Sequence, residues 1–160
     1  MMKTILVITV VVAFFVAGYC IAYSRMQIKY DELYVKYLNQ QAVNHTVSIW
    51  LKEKVRRGNV SWAIQDIGSK RIAVYGIGIL GEYLIEELRK QRITIVYIVD
   101  RKEMDSQEFQ GIKVYHPNEP LPEADLVIVT AVFYFDDIAF ELKKKVSCPI
   151  VSLEEIINVS

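Results

Sequence analysis

Two cysteines and two histidines are all the soft metal-binding chemistry in this chain of 160 residues. Cys20 and Cys148 lie far apart and neither has a CxxC partner, which excludes a zinc motif and a disulfide framework. They read as free thiols of a reducing compartment. His45 and His116 have no neighbouring Ser, Cys or carboxylate in a triad or ligand spacing, so neither a catalytic nor a metal residue is assigned. A charge excess is lacking too: Lys+Arg and Asp+Glu are both 19. Nucleic-acid binding needs a basic field that displaces counterions, so no nucleic-acid partner is expected. There are four prolines and seven glycines, and three of the glycines stand close together.

Charge is wholly missing from residues 4–24, TILVITVVVAFFVAGYCIAYS. As a helix this run is about 30 Å long, the thickness of a bilayer core. The expectation is a transmembrane helix over 4–24, with Tyr19 and Tyr23 as interfacial aromatics. Arg25, Lys29 and Lys36 outnumber Lys3, which predicts a single-pass protein of the cell membrane with its C-terminal body in the cytoplasm. The alternative is a cleaved signal sequence with its cut near Ala22-Tyr23-Ser24.

Residues 25–68 read as a juxtamembrane helical connector. Tyr30, Leu33, Tyr34, Tyr37 and Leu38 make one amphipathic stripe, and Val43, Val47, Trp50, Leu51 and Val55 another. The stripe breaks at Gln40, Gln41 and Asn44, which predicts two helices or one kinked helix ending at Gly58. Within this connector a heptad seam is not sustained. The arm either covers the domain's own sheet or pairs with a partner. Asn59 or Ser61 is expected to cap a further short helix.

From Arg71 the pattern changes. Ile72–Tyr75 is a short apolar run, as in a strand buried on both faces. Gly76, Gly78 and Gly81 then satisfy GxGxxG ahead of an amphipathic helix carrying Leu80, Leu84 and Leu88. In such a turn the first glycine permits the tight bend, the second lets the backbone approach a phosphate and the third lets the helix pack on the strand. A second apolar run, Ile93–Val99, ends in Asp100, about 20 residues beyond Gly81, where an acid accepts from ribose hydroxyls. Arg101 is placed to stack on adenine or meet a 2′-phosphate. A P-loop is excluded because Glu82 and Tyr83 follow Gly81.

Further strands are expected at Ile112–Tyr115, Leu126–Ala131 and Pro149–Val151, with helices at FDDIAFELKKK and SLEEIIN. Asp136 and Asp137 read as helix N-caps. Strands alternating with helices predict an α/β domain over 70–160, a small doubly wound parallel sheet of Rossmann-like order 3-2-1-4-5. Thr130 would sit beside the ligand crevice. The cofactor-binding set is therefore Gly76, Gly78, Gly81, Asp100, Arg101 and Thr130.

The segments KRIAVYGIGILGEYLIEEL, ITIVYIVDRK, ADLVIVTAVFYFDDI and CPIVSLEEII resemble the small Rossmann-like domains of bacterial surface-polysaccharide biosynthesis. These include stand-alone modules and the N-terminal parts of nucleotide-sugar-modifying enzymes and sugar acyltransferases. The resemblance implies NAD(P) or a nucleotide sugar as ligand. It also implies polysaccharide-assembly proteins, such as a glycosyltransferase, as partners through the helical arm. The Tyr-x-x-x-Lys of the larger relatives is missing, since no tyrosine has Lys four residues later. The expectation is a membrane-anchored binding module that is accessory or regulatory rather than catalytic. The alternatives are a minimal NAD(P)-dependent oxidoreductase or nucleotide-sugar-modifying subunit, and a scaffold whose nucleotide site has decayed.

Overall fold

The computed structural model describes residues 2–58, 71–102 and 107–158. Two compact units divide the chain, Met1–Gln40 and Gln41–Ser160. Helix α1 runs over Met2–Arg57. It passes through Gln40, Gln41 and Asn44 as one helix, which corrects the expectation of two helices. The physical reason is that Gln is a good helix former, and polar side chains interrupt a stripe without interrupting a backbone. Gly58 ends the helix in a left-handed conformation (φ +85°), its N–H donating to the Lys54 carbonyl at 2.9 Å.

The transmembrane expectation for 4–24 is overturned. Among the described residues no helix is long and apolar enough to cross a membrane. Gly18, Tyr19, Tyr23 and Ser24 lower the apolarity of the described part of that run, and Arg25 ends it. With the span go the single-pass localisation in the cell membrane and the orientation drawn from it. The short helix expected after Gly58 lies outside the described residues.

The second unit is built on a six-stranded sheet. Its strands are β1 (Arg71–Tyr75), β2 (Thr94–Val99), β3 (Glu108–Phe109), β4 (Ile112–Tyr115), β5 (Leu126–Val129) and β6 (Ile150–Ser152). They lie in the order β3-β4-β2-β1-β5-β6. β1 pairs in parallel with β2 and β5, β2 with β4, and β5 with β6. β3 is antiparallel to β4. The sheet is therefore mixed, which corrects the all-parallel expectation. Phe109 pairs with Ile112, leaving only Gln110 and Gly111 to connect them, and both have positive φ (51° and 76°). A two-residue loop with that handedness closes a hairpin and nothing else. Arg89 holds Gln110 there, its guanidinium donating to Oε1 at 2.8 Å and to the carbonyl at 2.9 Å.

Helices cover both faces. α2 (Ile79–Lys90) and α4 (Leu153–Ile157) pack on the face carrying Ile72, Val74, Ile98 and Ile128. α3 (Phe135–Leu142) covers Ala73, Tyr75, Val127 and Val129 through Ile138 and Leu142. Alternation along β1 sends Ile72 and Val74 one way and Ala73 and Tyr75 the other, so a continuous apolar run serves two cores. Asp136 and Asp137 occupy the first turn of α3, where the helix dipole favours acids. Neither is the cap, because the cap position is Tyr134.

Within this unit the last turns of α1 are held by polar contacts around a buried apolar seam. Trp50, with Val43 and Val47 beside it, joins the α2 core. Glu87 of α2 is 5% exposed, and its Oε2 accepts from Trp50 Nε1 and Lys54 Nζ, each at 3.3 Å. The buried Thr46 hydroxyl lies 2.5 Å from Glu154 Oε1, at the start of α4. Removing the Glu87 carboxylate leaves the indole N–H dry. Glu87→Ala should cost about 2 kcal/mol in urea unfolding, whereas the half-exposed Lys54 should cost under about 1 kcal/mol as Lys54→Ala.

Tyr97 is fully buried on the α3 face, and its hydroxyl has no hydrogen-bond partner among the described residues. Burial, with Cys148 beside it, pushes its phenol up to about 12. The unfolded phenol titrates near about 10. Stability from the neutral form is thus complete below pH about 10 and lost as pH rises towards about 12. Tyr97→Phe should remove that alkaline loss, and at neutral pH should leave stability unchanged or slightly raised, because an unpaired buried hydroxyl is costly. Denaturant midpoints across the alkaline range test both.

Candidate functional site

The carboxyl ends of β1, β2 and β5 meet at the turn Gly76–Gly78. Gly76 takes φ +99°, a conformation costly for any side chain with a Cβ. Its N–H donates to the Val99 carbonyl at 2.8 Å. A Cβ at Gly81 would stand 2.0 Å from the Gly76 carbonyl oxygen. That distance is possible only for glycine, and it sets how near α2 begins to the end of β1. The Thr130 hydroxyl lies 3.0 Å from both the Tyr75 and the Gly76 carbonyl oxygens, and the Thr130 N–H donates to Tyr75 at 2.9 Å. A Cβ at Gly76 would come within 2.8 Å of that hydroxyl. Gly76, Gly81 and Thr130 therefore form one tight knot.

Gly78 differs from its neighbours. It is the N-cap of α2 with extended backbone (φ −70°, ψ −178°) and no side-chain cap. A Cβ there would meet nothing within 4 Å. The first helical hydrogen bond is Glu82 N–H to Gly78 carbonyl at 3.0 Å, so the amides between them point out of the helix without intrahelical partners. Together they make an open, electropositive backbone surface.

Asp100 is placed differently from a free ribose ligand. Its Oδ2 accepts from the Ile77 N–H at 2.6 Å and its Oδ1 from the Lys102 N–H at 2.7 Å. The carboxylate thus braces the glycine turn, and a carboxylate has lone pairs left for a further donor. Arg101 folds back, with Nε donating to the Tyr75 hydroxyl at 3.2 Å. Those two side chains edge a cavity of about 400 Å³ together with His116, Asn118, Glu141 and Lys145. The Asn118 N–H donates to His116 Nδ1 at 3.2 Å, which leaves the ring proton on Nε2. Lys145 Nζ donates to the Pro117 carbonyl.

The structure thus gathers Gly76, Gly78, Gly81, Asp100 and Thr130 around one turn and puts Arg101 on the adjoining cavity. Sequence reasoning missed the roles of Tyr75, His116 and Lys145. They come from three separate stretches of chain, and no local pattern announces their meeting. His45 lies at α4 instead, 3.5 Å from Glu154 Oε1.

These features define a small α/β domain with a mixed sheet and a glycine-lined strand-to-helix turn. Residues 68–155 match the model of the family described as C2185-like, N-terminal, and the chain belongs to that family. No curated protein and no solved structure matches it.

The knot makes opposite demands on its glycines. Gly81→Ala forces a methyl group onto a backbone carbonyl and should destabilise by about 3 kcal/mol or more. Gly78→Ala, open and extended, should change stability by less than about 1 kcal/mol. Chemical denaturation of the two variants side by side checks the contrast.

Proposed function

We propose that the chain binds a nucleotide, either NAD(P) or a nucleotide sugar, with the diphosphate against the amides at the head of α2. The observation that carries this reading is the bare backbone over Gly78, held close to β1 by the Gly81 contact. Helix N-termini of this kind favour phosphate through aligned amides and a partial positive charge. Asp100 fixes the turn and keeps acceptor capacity for a ribose hydroxyl. Arg101, His116 and Lys145 supply donors on the neighbouring cavity for the rest of the ligand. Glu82 lies on the first turn of α2 and lowers the attraction for an anion. The role is that of a binding module, and its setting in surface-polysaccharide assembly is proposed on the resemblance of its strand–turn–helix segment.

Thermal unfolding of the full chain tests the reading with NAD(H), NADP(H) and UDP-sugars. A ligand at about 100 times its dissociation constant should stabilise by about 2.7 kcal/mol. Gly78→Trp fills the open backbone surface and should abolish the shift while leaving the unliganded stability intact. Glu82→Gln should tighten binding. If no nucleotide shifts the transition, the reading falls.

A further inference from the structure

The cavity of about 400 Å³ that Tyr75 and Arg101 edge lies on the α3 face of the sheet, where β1 and β2 end. Its floor is apolar. Ile138 and Leu142 of α3 are buried there, and so is Tyr75 at 5% exposure. Its rim is cationic. Arg101 and Lys145 both line it, and among the described residues neither makes an ion pair. Arg101 gives its Nε to the Tyr75 hydroxyl, and Lys145 gives its Nζ to the Pro117 carbonyl. Both acceptors are uncharged, so neither cation is neutralised. Glu141 also lines the cavity, but its Oε1 is matched by Lys144 at 2.7 Å. Two like charges on one cavity repel each other, and an anion between them relieves the repulsion.

The hydrogen-bond inventory points the same way. The Tyr75 oxygen accepts from Arg101, so its proton is left to donate, and that proton meets no acceptor among the described residues. A buried phenol proton is costly to leave unmet. His116 accepts from the Asn118 N–H at Nδ1 and therefore presents Nε2 as a donor. The guanidinium keeps both Nη groups. The lining is thus richer in donors than in acceptors. Two unpaired cations favour a group of about two negative charges, a phosphomonoester, over a carboxylate of one. The apolar floor and the volume favour an organic phosphate over inorganic phosphate.

We propose that this cavity binds the phosphate of a ribose phosphomonoester, held by Arg101, Lys145, His116 and the Tyr75 hydroxyl. The phosphate belongs either to a ribose of the nucleotide at the α2 turn or to a separate phosphorylated sugar. The site stands whether or not that turn takes a diphosphate, because α2 packs on the opposite face of the sheet.

The test is titration calorimetry of the full chain at low salt with two pairs of compounds, ribose 5-phosphate against ribose and NADP against NAD. In at least one pair the phosphomonoester should bind about tenfold tighter or more than its counterpart. Arg101→Gln/Lys145→Gln should abolish that preference. Both side chains are exposed, so this variant should keep the unfolding transition of the parent chain. Tyr75→Phe should reduce the preference. Lys143→Gln, which removes an equal charge from outside the cavity, should preserve it. A preference for NADP over NAD assigns the phosphate to the nucleotide. A preference for ribose 5-phosphate over ribose alone assigns it to a separate molecule. The proposal is overturned if neither pair shows a preference, if the preference survives Arg101→Gln/Lys145→Gln, or if Lys143→Gln abolishes it equally. Binding of ribose 5-phosphate without binding of NAD, NADP or any UDP-sugar overturns the nucleotide reading and supports this one.

Discussion

The second unit is arranged around the approach of Gly81 to the carbonyl of Gly76, where a Cβ would stand 2.0 Å from the oxygen. A methyl group would have no room there. Because nothing intervenes, α2 starts directly above the end of β1. Its apolar face, Leu80, Leu84, Ile85 and Leu88, then falls on Ile72, Val74, Ile98 and Ile128. The same approach leaves the amides at the head of α2 uncovered beside Gly78. Packing and the candidate site thus share one steric condition. Asp100 and Thr130 serve that condition from the ends of β2 and β5, one through the Ile77 N–H and the other through two carbonyls.

The polar contacts of the unit follow a similar logic. Glu87 and Thr46 are buried, yet each meets groups from a distant element. They fix how the end of α1 lies on α2 and α4, where an apolar seam of Val43, Val47 and Trp50 alone would permit sliding. Tyr97 is the exception: its ring packs at an edge against Tyr115, while its hydroxyl goes unmatched among the described residues.

Much of the second unit was legible because it depends on local pattern. The apolar runs at Ile72–Tyr75 and Leu126–Val129 mark strands, and the glycine spacing marks the turn. The edge hairpin was hidden because Gln110-Gly111 lacks the Asn or Asp that usually signals two left-handed residues, and its support comes from Arg89 in another element. Asp100 was legible as a neighbour of the glycine turn from its distance to Gly81, but its bond to Ile77 arises only when β1 and β2 lie side by side. The first unit misled for a different reason. Uncharged composition over 4–24 suggested a membrane span, and no helix among the described residues is long and apolar enough to be one.

The hairpin also governs how the sheet meets its surroundings. An open sheet ends in two rows of unpaired backbone groups, which invite strands from other molecules. Here one margin is the two-residue β3 and the other the three-residue β6. Next to β3 the chain turns through two left-handed residues under the Arg89 guanidinium, which twists that margin out of line with any straight incoming strand. The sheet therefore offers almost no template for polymerisation, and a chain rich in β-branched and aromatic residues can reach high local concentration without its strands recruiting one another.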